Sequence, residues 1–440
     1  MECNAKPRVL IADTNRWALS SHLAIRLAES GCEVAAICTL QGHSITRIDA
    51  VRRLYPYNAF KPAESLRRAI HEFDPHVVLP TCDRSVEHLH ELLAMEDGNG
   101  VSGKKCVAVI ERSLGCRTSY PIVSSRNGLL SLAAELGIRT PGTWKVPTSG
   151  DLHEMVEKRS QPLVVKVDGT WGGTGVRFVR NSAEVQAAWD ALVRMSGFTK
   201  AVKRLVVNRD SFLLGSWLKR VSRPIIAQEY VDGRPANCSV FAWGGEVKSI
   251  ICVEVVTTDG LTGPASVVRV VNNPDMLTAA QKIARHLMLS GFFGLDFMIE
   301  DRTENVFLVE MNPRLAPPGH LRLGRGQDLV GALCESIGAE SKQGDCVDTT
   351  KDVIAYFPRV AAEKEAELDY YVDMPVGEPA LIGELLNPYP DRTLLFRIAQ
   401  RLAGNTSALA EKAQFDAGIA CERKDDEHPK SPSVATGVPD

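Results

Sequence analysis

No stretch of this chain approaches the roughly eighteen consecutive apolar residues that a membrane-spanning helix needs, so a membrane role is not expected. Neither sign of charge dominates. Lys and Arg number 51 against 54 Asp and Glu, a net of −3 over 440 residues, and nothing in that total calls for a nucleic-acid partner. The eleven cysteines contain no C-x-x-C pair, which argues against a metal knuckle or a disulfide framework and for reduced thiols filling core space in a cytoplasmic protein. The opening MECNAKPRVLIADTN reaches Asp13 after a five-residue apolar run, too short for a signal-peptide core. The turn after that run, ADTNRWALS, has no glycine, so the dinucleotide fingerprint is missing and a scaffold role suits it better than a pyrophosphate site. Nor does any Ser-His-Asp or Cys-His arrangement stand out.

What is present is ordinary globular material. Hydrophobic residues are 44% and charged residues 24%, enough for real cores without staples, and the length fits about three domains. Residues 8–118 alternate strand and helix: RVLIAD, a helix through Leu19 and Leu27 stopping at Gly31, EVAAICTL, a helix over 63–73 after Pro62, HVVLPTC, a helix through Val86 and Leu93, and KKCVAVIE as a further strand. That alternation predicts an α/β domain with a parallel sheet. From Ser124 the pattern changes. A helix capped by Ser124 or Ser125 ends at Gly137; PLVVKV and VRFV are strands joined by DGTWGGTG; a helix covers 183–195; IIAQEYVDG is a strand. A Gly-Gly turn follows within SVFAWGGEVKSIICVEVV, then a helix over 278–290 and a β-hairpin over 292–311. The last twenty residues are polar and proline-rich, the composition of a disordered tail.

Two features carry chemistry. Lys166 enters a connection holding Gly169, Gly172, Gly173 and Gly175. Such a loop packs no side chains, but it lets bare N–H groups close on an anion such as a phosphate. It joins two strands and lacks the G-K-[ST] ending, so it is not a Walker loop; a plain hairpin tip is the competing reading. In the late hairpin, Asp296 and Glu310 each lie seven residues from Thr303. A regular hairpin sets them opposite each other, Cβ atoms about 4.5–5.5 Å apart. Two carboxylates so placed in apolar strands repel and are hard to desolvate, and a divalent cation removes that penalty. Asn312 shares their face and adds a neutral oxygen, an all-oxygen set that suits Mg²⁺ held jointly with substrate phosphates. The bland alternative is a solvated acidic face. Arg314 continues the parity and can clamp a phosphoryl or carboxylate group. His320, Arg322 and Arg325 follow in a Gly/Pro-rich loop and could face the same cleft, although any one of them alone reads as an ordinary surface residue. Residues 197–223 hold seven cations against Asp210 alone, most simply a solvated face.

In this order, VVKVDGTWGGTGV, QEYVDG and GLDFMIE…VFLVEMNPR resemble the ATP-grasp superfamily of carboxylate–amine ligases, to which carbamoyl-phosphate synthetase and D-alanine–D-alanine ligase belong. The resemblance covers residue 8 to about 340. It implies a pre-ATP-grasp α/β domain over 1–118 and an ATP-grasp α+β domain over 119–340, with a lid subdomain at about 139–227 and a nucleotide cleft. A carboxyl-terminal extension over 341–420 and a disordered tail over 421–440 follow. Site residues carried over by the resemblance are Lys166, Arg126, Gly172, Gly173 and Gly175 at the ATP phosphates, and Gln228, Glu229, Tyr230 and Val231 at the adenine hinge. Asp296, Glu310 and Asn312 would hold Mg²⁺, with Mn²⁺ as a substitute, and Arg314 would lie by the acyl phosphate. Two positions depart from the pattern. A glutamate often assigned to the ribose is absent, leaving Asn237 or Ser239 to serve, and Asp168 replaces a proline. The implied activity joins a small-molecule carboxylate to an amine through an acyl phosphate. A small-molecule kinase and a non-catalytic ATP-binding protein remain open at this point, as does a homodimer.

Overall fold

The computed structural model describes residues 6–15, 17–40, 42–96, 100–159, 161–167, 175–195, 224–258, 263–324, 326–339, 347–360 and 369–386. The glycine loop up to Thr174, the basic stretch 197–223, Arg325 and the expected tail lie outside them. No helix among the described residues is long and apolar enough to cross a membrane.

The first part of the chain runs β1 (Arg8–Ala12), α1 (Ala18–Glu29), β2 (Glu33–Cys38), β3 (Val51–Pro56), α2 (Pro62–Phe73), β4 (Val77–Pro80), α3 (Asp83–Glu96) and α4 (Gly100–Leu114). Its four strands form one sheet in the order β3-β2-β1-β4, with every pairing parallel. β1, β2 and β4 are apolar on both faces and are buried on both, as a parallel sheet covered by helices requires. The strand expected at KKCVAVIE is instead the middle of α4. Cys106, Val109, Ile110 and Ser113 are its buried positions, a spacing of three to four residues that only a helix puts on one face. β3 escapes a pattern search because Arg52, Arg53 and Leu54 are all exposed along this edge strand.

A short turn of helix, α5 (Tyr120–Val123), leads into α6 (Arg126–Glu135). Ser125 caps α6, its hydroxyl accepting from the Gly128 N–H at 3.1 Å. Next come β5 (Thr143–Val146), α7 (Ser149–Glu157), β6 (Leu163–Val167), β7 (Val176–Val179), α8 (Ser182–Met195) and β8 (Ile225–Glu229). These strands make a small antiparallel sheet in the order β5-β8-β6-β7 over its own apolar cluster, Leu152, Val165, Val179 and Leu192 among it.

The largest sheet is built from β9 (Gly233–Trp243), β10 (Glu246–Thr258), β11 (Ala265–Val271), β12 (Gly291–Glu300), β13 (Val306–Asn312), β14 (Val353–Tyr356) and β15 (Tyr371–Asp373), in the order β13-β12-β9-β10-β11-β14-β15. Gly244 and Gly245 both take positive φ at the β9–β10 turn, the conformation a tight hairpin demands and glycine supplies. Helix α9 (Pro274–Leu287) packs on this sheet through Met276, Ala280, Ile283 and Leu287, while Phe293 and Phe297 fill the space beside them. Two further α-helices among the described residues are α10 (Leu329–Ser336) and α11 (Pro379–Leu386). Seven of the eight described cysteines are buried and none is in a disulfide, so they serve as small core residues.

Candidate active site

Three neighbouring strands of the large sheet carry a row of polar residues across otherwise apolar surface. Asp296 on β12 pairs with Glu310 on β13 to one side and with Asn237 on β9 to the other. The hairpin is not the regular one assumed from spacing. Ile299 pairs with Val306 and Phe297 with Leu308, and the register then shifts by one, so Val309 is an extra residue in β13. This bulge brings Glu310 opposite Asp296, and bulges of this kind re-aim side chains. Asp296 is partly buried; desolvation first, and the nearby Glu310 second, push its carboxyl up to about 6.

The charge of this acidic pair is relieved from the protein's own side. Arg126, first residue of α6, donates from Nη2 to Glu310 Oε1 at 2.5 Å. Asn312 donates from Nδ2 to Asp296 Oδ2 at 2.9 Å, while its Oδ1 accepts from Arg314 Nη2 at 3.2 Å. The expected Asn312 oxygen is therefore turned to Arg314 here and its amide nitrogen to the acid. Asn237 Oδ1, by contrast, is buried without a hydrogen-bond partner. An unsatisfied buried acceptor beside two carboxylates is a ready cation or ligand contact.

Lys166 comes from the small sheet. It is 9% exposed, and burial lowers its ammonium to about 8, offset by Glu310 and Asp296 and reinforced by Arg126. Lys166 thus lies near enough to Glu310, Arg126 and Asp296 to feel the charge of each. Lys166 Nζ donates to Gln228 Oε1 at 2.7 Å, and Gln228 Nε2 donates to Thr143 Oγ at 3.1 Å. Gln228 thus works as a buried brace for the lysine. Glu229 accepts from the Gly142 N–H at 3.0 Å through Oε2; a Cβ on Gly142 would sit 2.8 Å from that carboxylate carbon, so glycine is needed for this approach. Tyr230 is partly exposed and meets Phe178 edge-on at 6.0 Å, and Val231 follows in irregular structure. Of the glycine loop only Gly175 is described, its carbonyl accepting from the Val167 N–H at 3.1 Å; Gly172 and Gly173 are outside the described residues.

Arg314 is held by partners that spacing alone did not reveal. Its Nε donates to Asp83 Oδ2 at 3.2 Å, its Nη1 to the Leu315 carbonyl at 3.3 Å, and its guanidinium lies 4.8 Å above the Trp17 ring. Asp83 starts α3 just beyond the carboxyl end of β4, the end at which open α/β sheets gather ligand contacts, and that position was its available signal. Ser239, the other stand-in for the ribose contact, donates to the Ala316 carbonyl at 2.9 Å and is fully buried. It anchors the segment after β13, leaving Asn237 as the one with a spare oxygen. Neither His320 nor Arg322 is a surface residue: His320 is buried against Asp373 and Arg322 is paired with Asp348. Asp13 likewise faces inward, its Oδ1 accepting from the Asn15 N–H at 2.8 Å, in keeping with a scaffold role.

The ligand atoms that Asp296, Glu310 and Asn237 offer are oxygens, so these residues fit a hard divalent cation, and the adjacent cations fit an anionic ligand. Residues 134–318 match the family model of the ATP-grasp domain. The chain is 28% identical over 184 residues to a formate-dependent phosphoribosylglycinamide formyltransferase of Xanthomonas campestris, 42% of either chain. It is 25% identical over 240 residues to a carbamoyl phosphate synthase large chain of Rubrobacter xylanophilus, 54% of this chain and 21% of that one. Alignment with the first relative thus spans well under half its length. Among solved structures, an L-amino acid ligase from Bacillus licheniformis shares the fold with a TM-score of 0.54 at 16% identity, over 78% of each chain. An N5-carboxyaminoimidazole synthetase from Staphylococcus aureus complexed with ADP gives 0.54 at 12% identity, over 78% of this chain and 80% of that one. Residues 134–318 thus carry the sequence pattern of an ATP-grasp domain, set on paired sheets that share the fold of these ligases.

Proposed function

We propose that this protein is an ATP-dependent ligase that activates a small-molecule carboxylate as an acyl phosphate and joins it to an amine. The observation that carries the reading is the meeting of Lys166 and Arg126 with the Asp296–Glu310 pair between two sheets. Cations for a triphosphate and acids for Mg²⁺ are what phosphoryl transfer requires, since its catalysis is mostly positioning and charge neutralisation.

In this reading Asp296, Glu310 and Asn237 Oδ1 would hold Mg²⁺, joined by Asn312 once its amide turns its oxygen from Arg314 to the ion, and Mn²⁺ could take the same place. The bound ion supplies positive charge to the phosphoryl oxygens. Lys166, steadied by Gln228, and Arg126 contact the phosphates under the loop of Gly172, Gly173 and Gly175; Glu229, Tyr230 and Val231 line the adenine side. An oxygen of the substrate carboxylate attacks the γ-phosphorus and ADP leaves. The amine nitrogen then attacks the acyl carbon, loses a proton and expels phosphate. Arg314, fixed by Asp83 and Trp17, orients the acid and its acyl phosphate. No side-chain nucleophile is needed. Residues 1–118 supply part of the acid pocket and 119–340 the nucleotide cleft, while β14 and β15 extend the large sheet. The work is expected in the cytoplasm, where ATP is available.

The test is an ADP-release screen of carboxylates crossed with amines on purified protein, with product masses. Release that requires both partners and yields their condensed mass supports ligation. A phosphorylated acid or alcohol as the only product, or no turnover with any pair despite tight ATP binding, overturns it.

A further inference from the structure

Away from the acids and cations assigned to ATP, a second polar cluster is closed inside the fold. His22 lies on the buried side of α1, His320 in the segment that follows β13, and Asp373 ends β15. Their exposures are 8%, 5% and 7%. His320 Nε2 is 3.0 Å from Asp373 Oδ1 and His22 Nδ1 is 3.7 Å from the same oxygen. The two imidazole centroids are 4.6 Å apart, and one ligand atom from each of the three residues lies within 4.8 Å of the others.

The 3.0 and 3.7 Å separations are close to the roughly 3.4 Å between ligands held at about 2.0–2.1 Å in a tetrahedral shell. The wider spacing, within 4.8 Å, closes when the two imidazoles turn toward a shared ion. The charges agree. Burial lowers His22 to about 4, keeping its imidazole neutral and its lone pair available. Burial works against ionising Asp373, but the neighbouring imidazoles prevail and hold it down to about 2. A carboxylate sealed from water is stable when paired or metal-bound. Two more buried polar atoms here have no hydrogen-bond partner: His320 Nδ1, and the hydroxyl of Tyr356, which sits beside Asp373 in the β14–β15 pairing.

We propose that His22, His320 and Asp373 form a binding site for a zinc-class divalent ion, distinct from the all-oxygen Mg²⁺ position at Asp296 and Glu310. Two imidazoles and one carboxylate select a borderline metal over Mg²⁺, and a water in the fourth position gives the Tyr356 hydroxyl a partner. The ion ties together three stretches far apart in sequence: the first helix of the α/β region, the segment running on from Arg314, and the last strand of the large sheet. The inference does not depend on the ligase reading.

Co²⁺ titration of the full-length protein, with Mg²⁺ in excess, tests it. The expected result is a visible d–d band of four-coordinate cobalt that saturates at one equivalent and is displaced by Zn²⁺. That band should be lost in His22→Asn and in Asp373→Asn and kept in Asp296→Asn. Because the first two variants sit in a packed interior, their folding is checked by circular dichroism, and the wild-type spectrum decides independently of them. A wild-type protein that binds no cobalt under these conditions overturns the proposal, as does a band that both folded variants retain.

Discussion

At neutral pH Asp296 and Lys166 each hold the charge that burial disfavours, the carboxyl being raised to about 6 and the ammonium lowered to about 8. Asp296, near 6, takes up protons on folding at acid pH, so its contribution to stability is present below about pH 4 and lost as pH rises through 6. Lys166, near 8, is the reverse case: the unfolded chain holds the extra proton, so the lysine's penalty is full below pH 8 and fades above it. At neutral pH both terms weigh on the empty site. Asp296→Asn is therefore expected to abolish Mg²⁺-dependent turnover yet stabilise the ligand-free fold by about 1–3 kcal/mol near neutrality, with the gain vanishing near pH 4. Denaturant melts at the two pH values read this directly; a variant less stable than wild type near neutrality contradicts it. The Arg126–Glu310 pair adds a linkage of its own, because a cation at Glu310 must compete with the guanidinium. Arg126→Ala should tighten Mg²⁺ binding in the absence of nucleotide while weakening ATP binding, both measurable by calorimetry; unchanged Mg²⁺ affinity would show that the pair does not guard the acid.

Elements explain how well these residues could be found beforehand. The hairpin over β12 and β13 was legible because FFGL and FMI flank Asp296 while VFLV and Met311 flank Glu310, and apolar strands show interruptions plainly. Its bulge at Val309 was not, since nothing in composition marks where a ladder slips. The pairing of Asp296 with Glu310 was inferred from a regular hairpin, and the irregular one restores it. KKCVAVIE misled because a short apolar run fits either period; only its continuation to Ser113, in step with Cys106, Val109 and Ile110, shows the helical one. Ser125 was legible as a cap, and it fixes the start of the helix that aims Arg126. Ser125→Ala should destabilise the protein by about 1 kcal/mol and raise the KM for ATP more than it lowers kcat. A melting-temperature drop with no change in KM would separate the cap from the site.

Across the whole molecule, the site draws on sheets that no local pattern relates. Lys166 arrives from the small antiparallel sheet, Asp296 and Glu310 from the large one, and Asp83 with Trp17 from the α/β region. Long-range partners such as Asp83 and Arg314 are 231 residues apart, beyond any windowed reading. Asp83→Asn should cut kcat/KM for the acid about tenfold, the size of one weakened charge-assisted hydrogen bond, and leave ATP binding intact. Equal losses for acid and ATP would place Asp83 in general stability instead. The account rests on a divalent ion sitting between the two hairpin acids when nucleotide is bound. A crystal grown with Mn²⁺ and a non-hydrolysable ATP analogue tests that through manganese anomalous scattering. The predicted result is a peak bridging Asp296, Glu310 and the β- and γ-phosphates, with Arg126 released from Glu310. Nucleotide bound with no manganese at these carboxylates, and Arg126 still on Glu310, would contradict it.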